Sequence, residues 1–294
     1  MLLSSLASEP ILSWNLLMDL QAMFQYAFMQ NAFIAGTAVA IVAGVVGYFV
    51  VLRGLSFAAH ALSHIGFTGA TAAVVLGISP LYGLLLFAGC GSCIMGFLSK
   101  KIFGRDAIIG IVLAWALGLG VFFLSLYAGY ANEAYSILFG QILGISQADV
   151  RTTLLTSLVT LLALVLIFRP LLFSSLDEEV AEARGIPTRL ISVLFMIILA
   201  LAVSAAVQVV GVLLIFALLV TPAAIAERLS GKPSRALLLS VLLSVLFTWF
   251  GLIVSFYLPY PVSFSITSAA FATYLIIRII PFVSNMLPLR TIRA

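Results

Sequence analysis

Residues 29–52 read MQNAFIAGTAVAIVAGVVGYFVVL, a stretch of 24 residues without a charged side chain. An α-helix needs about 20 such residues to cross the roughly 30 Å hydrocarbon core of a bilayer. The whole 294-residue chain has the same character, with 64% hydrophobic and 8% charged residues and a mean hydropathy of +1.27. Unbroken apolar runs of this length favour helices over the alternating segments of membrane β-barrels. The sequence therefore predicts an all-α, polytopic membrane protein.

Hydropathy and the turn residues between apolar runs predict nine membrane spans. An eight-span arrangement stays open if residues 208–226 or another short segment re-enter the membrane without crossing it. No polar connection is long enough to form a soluble domain, and we expect a single membrane domain over residues 1–294, with residues 1–28 as an N-terminal interfacial segment. The nine expected spans are 29–52, 57–77, 81–99, 107–127, 152–172, 190–206, 208–226, 237–256 and 262–281.

The basic residues predict which side of the membrane each loop faces. Of the 14 Lys and Arg residues, all but Arg151 fall on one side of the nine spans. Because Lys and Arg concentrate in cytoplasmic loops, we expect that side to be cytoplasmic. Residues 173–189 and the C-terminus are then in the cytoplasm, and residues 257–261 face outward.

The only two histidines of the chain, His60 and His64, lie within the second expected span. A spacing of four residues places both imidazoles on one face of a helix. Ionisable side chains inside a membrane are costly and usually face a bundle interior or a solute path. The pair therefore predicts a metal or solute site, and the simpler alternative is a pair of structural core histidines. A metalloprotease HExxH motif is excluded because the second position is Ala61.

The densest charge cluster of the chain, residues 176–187, falls on the expected cytoplasmic side. Ser174, Ser175 or Asp177 can cap the start of a short helix, Gly185 can adopt the left-handed conformation after its end, and Pro187 prevents continuation. Acidic residues near the positive N-terminal end of a helix favour the same structure. A short surface helix of this kind is a docking element in many transporters, and the alternative is a solvated loop.

Four motifs in the same order resemble the zinc and manganese ABC-importer permeases, the ZnuB-type family. Together they extend over roughly residues 25 to 280 of the chain. Their order and spacing make the resemblance specific, although each motif alone is weak. The motifs are Arg53-Gly-Leu-Ser-Phe57 with His60-Ala-Leu-Ser-His64, the segment Leu138-Phe-Gly through Gly144, the loop over 177–187, and the run from Gln208-Val-Val-Gly211 through Thr221-Pro-Ala-Ala224.

The resemblance implies a type II ABC importer-like permease in the bacterial inner membrane, paired with a second copy as a homodimer. Its other implied partners are cytoplasmic ABC ATPase subunits, an extracytoplasmic metal-binding protein and membrane lipid, with no nucleic acid. The chain has no G-x-x-x-x-G-K-[ST] nucleotide loop, so we expect a transport subunit that is not itself an enzyme. Residues 173–189 become the coupling loop to the ATPase. The implied coupling residues are Asp177, Glu178, Glu179, Ala181, Glu182, Gly185 and Pro187.

His60 departs from the family pattern, in which Asp is common at this position. The expected ligands of the transported ion become two imidazoles, His60 and His64. Neutral imidazole suits zinc and carboxylate oxygen suits manganese, so the change favours zinc over manganese as the cargo. No permanently bound cofactor is expected. The alternatives are a permease for iron chelates or cobalamin, and a stand-alone proton-coupled carrier in which the histidines relay protons.

A single chain supplies too few imidazoles for a closed metal site. One chain offers two imidazole ligands, which lie about one helical turn apart, whereas tetrahedral zinc takes four ligands. A two-fold homodimer apposes the same surface of both copies. We therefore expect a transient four-imidazole site at the dimer axis.

Overall fold

The computed structural model describes residues 21–98, 105–126 and 137–286, in which nine helices with defined bounds and one 3-10 turn occur beside short helical stretches at 21–24 and 137–139. No strand occurs in these ranges, and the all-α prediction is confirmed. Residues 1–20 of the expected interfacial segment lie outside them. The helices are α1 (Ala27–Leu52), α2 (Ser56–Val75), α3 (Pro80–Leu98), α4 (Arg105–Ser125), α5 (Gln147–Leu176), α6 (Glu178–Ala183), α7 (Thr188–Leu229), α8 (Pro233–Tyr257) and α9 (Val262–Met286), with the 3-10 turn at Ile142–Gly144.

Six of these helices are long and apolar enough to cross a membrane, namely α1, α4, α5, α7, α8 and α9. The apolar part of α3 is shorter, at Pro80–Gly96. The helix α2 is more polar because it carries both histidines and several hydroxyl side chains, and most of it is buried by its neighbours. A polar helix in a membrane has to be enclosed in this way, since lipid cannot solvate its side chains.

The 42-residue helix α7 crosses the membrane twice. As one straight helix it would be about 63 Å long, roughly twice the hydrocarbon thickness. Its backbone leaves the helical conformation at Gly211, where φ is 81° and ψ is 165°. Near its start, Ser192 accepts a hydrogen bond of 2.7 Å from Arg53, at the cytoplasmic end of α1. Just before the break, Gln208 donates a hydrogen bond of 3.0 Å to Asp149, at the outer end of α5.

After the break, the chain returns toward the cytoplasm. The Leu219 backbone touches Gly47, near the cytoplasmic end of α1. Further along, the Arg228 guanidinium lies 5.8 Å from the ring centre of Tyr274, in the second half of α9. Residues on both sides of the break thus approach the same end of α1, and the chain reverses between them.

The reversal divides α7 into two arms, α7a (residues 188–210) and α7b (residues 212–229). With these arms, nine helical segments in the described ranges correspond to the nine expected spans, and six of the helices meet the length and hydropathy of a membrane span. The turn lies at Gly211, whereas the expected spans were separated at residue 207. Glycine adopts positive φ at little cost, so the reversal falls on the residue that tolerates it.

The helices α2, α3 and α4 pack closely around one another. The backbones of α2 and α3 touch at Gly69 and Gly83, where a methyl group on either glycine would overlap the carbonyl group of the other. Small residues of this kind allow membrane helices to approach at backbone distance. The Thr68 hydroxyl of α2 also donates a hydrogen bond of 2.6 Å to the Ala116 carbonyl of α4. The histidine-bearing helix is therefore fixed on two sides.

Candidate metal site and coupling segment

His60 and His64 form one pair on α2, in the fold's interior. Their ring centres are 4.6 Å apart, and their planes are inclined at 80°. Both side chains are half-buried. The Ser63 hydroxyl donates to the His60 carbonyl at 2.7 Å, and the Thr68 hydroxyl, whose shorter bond goes to the Ala116 carbonyl of α4, also lies 3.3 Å from the His64 carbonyl. These hydroxyl groups are satisfied by backbone carbonyls, which leaves the imidazoles as the reactive groups of this face.

The Nδ1 atoms of His60 and His64 are both buried without a hydrogen-bond partner among the residues that the structure describes. Buried polar atoms are normally paired, and two unpaired nitrogens on neighbouring rings suggest a ligand or an ion. The aromatic ring of Phe216, on α7b, packs against His60 with ring centres 4.9 Å apart at 65°. This contact fixes one edge of the imidazole pair and was not expected from the sequence.

The described residues of one chain do not complete a metal site by themselves. No group of three or more His, Cys, Asp or Glu side chains comes together in the ranges that the structure covers. The pair therefore provides at most two protein side chains toward the four ligands of a tetrahedral ion. Further ligands have to come from another copy of the chain, from water or from the cargo's own coordination shell.

Two motifs that are distant in sequence meet at the outer side of the fold. Gly140 and Gly211 both have positive φ, at 74° and 81°, and their backbones are in direct contact. A methyl group on Gly211 would lie 2.6 Å from the Leu138 carbonyl oxygen and would overlap Gly140 itself. The segment around Gly140 thus covers the reversal of α7. Positive φ at both glycines was not predicted, although each motif was recognised.

The acidic cluster forms a capped helix, α6, on the side of the fold that the basic residues predict to be cytoplasmic. The Asp177 side chain accepts a hydrogen bond of 2.9 Å from the Val180 amide. At the other end, Gly185 has φ of 80°, and the Ile186 amide donates to the Ala181 carbonyl at 3.0 Å. This bonding pattern is a left-handed helix cap of the Schellman type. Pro187 follows as the residue before α7.

One face of α6 packs against the protein and the other faces solvent. Ala181 is completely buried, and the Val180 side chain is 42% exposed. The predicted coupling residues therefore divide between these two faces. Those that are exposed to solvent are Asp177, Glu178, Glu179, Glu182, Gly185 and Pro187.

A polar cluster around Arg53 lies beside this helix and was not identified as a site from the sequence. Arg53 donates hydrogen bonds to the hydroxyls of Ser174 (3.2 Å), Ser175 (3.1 Å) and Ser192 (2.7 Å). The cluster borders a cavity of about 310 Å³, which Glu178 also lines. The motif beginning at Arg53 was the available signal, but its partners are more than a hundred residues away in sequence.

A polytopic helical domain with an imidazole pair on an enclosed helix and a capped cytoplasmic helix has the parts of a transporter's membrane subunit. The chain belongs to the ABC-3 family, described as the ABC 3 transport family, whose model matches residues 25–281. This assignment confirms the relationship predicted from the four motifs.

Curated relatives support the same assignment. The chain is 34% identical over 233 residues to the manganese transport system membrane protein MntC of Halalkalibacterium halodurans, covering 79% of this chain and 80% of the relative. It is 36% identical over 250 residues to the manganese import system permease protein ScaB of Streptococcus parasanguinis, covering 84% and 89%. A solved structure, PsaBC from Streptococcus pneumoniae in complex with Fab, aligns with a TM-score of 0.80 at 31% identity, covering 89% of this chain and 95% of that one.

The chain is thus a multi-pass permease subunit of a metal-ion ABC importer, located in the bacterial inner membrane. Permease subunits of ABC transporters are not enzymes themselves, and the family implies a separate ATPase and a substrate-binding partner. The relatives are named for manganese, and the expected preference for zinc over manganese finds no support in them.

Proposed function

We propose that the chain conducts a divalent first-row transition-metal ion, Mn²⁺ or Zn²⁺, past His60 and His64. The observation that carries this proposal is the pair of adjacent imidazoles with buried, unpaired Nδ1 atoms on a helix enclosed by the bundle. Neutral imidazole nitrogen is a good ligand for such ions, whereas an iron chelate or cobalamin would require a wide cavity instead of two rings 4.6 Å apart.

We propose further that the site is completed by a second copy of the chain. Two imidazoles from each copy would provide four ligands at a two-fold axis, because an isologous interface apposes the same patch from both subunits. The half-buried state of both rings supports this arrangement, since part of each ring stays accessible in the single chain. An extracytoplasmic binding protein would deliver the ion to this site.

Two arguments about the identity of the metal point to different ions. The relatives' names favour manganese. The two imidazoles, without a carboxylate beside them in the described ranges, suit zinc at least as well. We therefore propose the class of ion and a measurement that separates its two members.

ATP-driven uptake of radioactive manganese and zinc into proteoliposomes tests the proposal. The liposomes should contain the chain together with its ATPase and the external binding protein. We expect saturable uptake that requires ATP. The preferred ion should inhibit uptake of the other ion at a concentration about tenfold lower than is needed for the reverse inhibition, which corresponds to an affinity difference of about 1.4 kcal/mol. The absence of ATP-dependent uptake of both ions would refute the proposed function.

We also propose that α6 and its flanking residues dock on the ATPase. The helix is preorganised by the Asp177 cap and the Gly185 turn, and its outer face combines acidic side chains with the exposed Val180. A partner groove with basic edges and an apolar base would complement this surface. The buried Ala181 anchors the opposite face, so a force on α6 is passed to the protein behind it.

Replacing Gly185 with valine should uncouple transport from ATP hydrolysis. A side chain at Gly185 would meet no atom within 4 Å, so the variant tests only the positive φ of 80°. Holding a β-branched residue in that conformation costs about 1–2 kcal/mol or more, which should distort the helix end. We expect metal uptake per ATP to fall several-fold in a transport assay.

Two control variants separate this effect from general damage. Gly185→Asn should retain coupling because Asn tolerates left-handed φ. Gly231→Val, at another cytoplasmic glycine with open space around it and no positive φ, should behave as the wild type. Normal coupling in Gly185→Val would show that the geometry of this turn is not needed for docking.

A further inference from the structure

Arg53 lies at the junction between α1 and the histidine-bearing helix α2. Only residues 53–55 connect the two helices. The connection is a tight turn, with φ of 63° at Gly54 and a hydrogen bond of 2.8 Å from the Leu55 amide to the Val50 carbonyl. A force on Arg53 therefore reaches the base of α2 through a short connection. His60 is slightly more than one helical turn further along α2.

The guanidinium of Arg53 joins this junction to two other segments. It bonds Ser174 and Ser175 at the end of α5, and Ser192 at the start of α7a. The ring of Phe195 also lies 5.8 Å from the guanidinium carbon. Arginine suits this role because its planar group carries several donors in a fixed arrangement, which a lysine ammonium cannot reproduce.

A continuous series of hydrogen bonds leads from α6 to Arg53. The Thr188 hydroxyl donates to a Glu182 carboxylate oxygen on α6, and Thr188 is almost completely buried. The Thr188 carbonyl accepts a hydrogen bond of 2.8 Å from the Ser192 hydroxyl, which in turn accepts from Arg53. This series of polar contacts thus connects the proposed docking helix to the base of the histidine helix.

The cavity beside Arg53 gives this connection space to move. It has a volume of about 310 Å³ and is lined by residues from α2, α3, α4 and α7a as well as by Arg53 and Glu178. In contrast, α2 and α3 are in direct backbone contact further from the cytoplasm, at Gly69 and Gly83. A cavity at one end and tight packing at the other allow the base of α2 to shift while its upper part stays fixed to α3.

We propose that Arg53 is the positioning residue that transmits movement of α6 to the histidine helix. When α6 is displaced by the ATPase, the Glu182–Thr188–Ser192 series carries Arg53 and the base of α2 with it. This proposal rests on the proposed docking of α6, and it adds the route by which docking changes the metal site.

Hydrogen exchange of the complete transporter tests this route without depending on the identity of the cargo. In the wild type, ATP binding should change amide protection in residues 54–62 as well as in 177–187. In Arg53→Gln, we expect the change in 177–187 to persist and the change in 54–62 to disappear. If ATP changes amide protection in both segments of the variant as it does in the wild type, the proposal is overturned. If ATP changes neither segment in the wild type, docking itself is refuted.

Transport measurements provide the second test. We expect Arg53→Gln to lower the amount of Mn²⁺ or Zn²⁺ moved per ATP by about tenfold, within the usual range of coupling between two sites. Arg53→Lys should restore part of this loss because it keeps the charge but not the three-way contact. Arg169→Gln removes an exposed cytoplasmic arginine and should match the wild type.

Two milder variants keep the proposal testable if Arg53→Gln fails to assemble. Ser192→Ala removes one partner of Arg53, and Thr188→Val removes the bond to Glu182 while preserving side-chain shape. Each should weaken the ATP-dependent change in residues 54–62. Wild-type exchange in both variants, with assembled complexes, would show that the hydrogen-bond series does not carry the movement.

Discussion

Replacing His60 and His64 together by alanine should abolish metal uptake, with a loss of at least about 100-fold, because losing a group that only orients a ligand already costs 10–100-fold. The two imidazoles are the only histidines of the chain. Their buried Nδ1 atoms make no hydrogen bond within the described ranges, so the double variant removes no observed polar contact of these atoms. We therefore expect the variant to assemble with its partners and to fail in uptake by the reconstituted complex.

Two single variants distinguish ligand chemistry from packing. His60→Asp restores the carboxylate and imidazole pair of the wider family and should shift the preference toward Mn²⁺, since carboxylate oxygen suits that ion. Phe216→Leu keeps an apolar side chain against His60 and should leave the selectivity unchanged. Uptake at the wild-type rate by the double alanine variant, at matched expression, would assign the histidines a structural role.

Replacing Gly211 with alanine should destabilise the protein by about 2–5 kcal/mol, combining the cost of left-handed backbone with that of overpacking. The added methyl group would overlap the Gly140 backbone, which belongs to the segment covering the reversal of α7. Neither side can yield easily, because Gly140 is also held at positive φ. The loss should appear as a markedly lower melting temperature of the purified protein in detergent.

The matched control for this variant is Gly118→Ala, in α4. Gly118 has no positive φ, and a methyl group added to it would meet no atom within 4 Å, so the change reduces helix flexibility without a clash. Its melting temperature should equal or slightly exceed that of the wild type. Equal melting temperatures for Gly211→Ala and the wild type would contradict the tight contact between the two glycines.

The membrane architecture was predictable because it depends on local composition. Long apolar runs are recognised without knowledge of tertiary contacts. The turn within α7 was harder to place, because apolar residues continue on both sides of Gly211. Hydropathy detects the presence of two spans there, and backbone conformation decides where they separate.

The candidate site was predictable only in part, for a related reason. The spacing of His60 and His64 is a local property of one helix, and the structure places their rings together as that spacing requires. The cap of α6 is equally local, formed by Asp177 and Gly185. The partners of Arg53 and the packing of Phe216 on His60 are set by tertiary structure, and no sequence motif specifies such long-range contacts.

The close contact of Gly69 and Gly83 limits how the proposed metal site can open. Because the two backbones touch, α2 cannot rotate about its own axis without colliding with α3. The base of α2 can then tilt about this contact while its upper part stays packed against α3. A tilt changes the separation between His60 and the α7b residue Phe216 while the two imidazoles keep their mutual geometry. Release of the ion would then follow from a change in the position of Phe216 relative to the two imidazoles, while the two imidazoles keep their geometry.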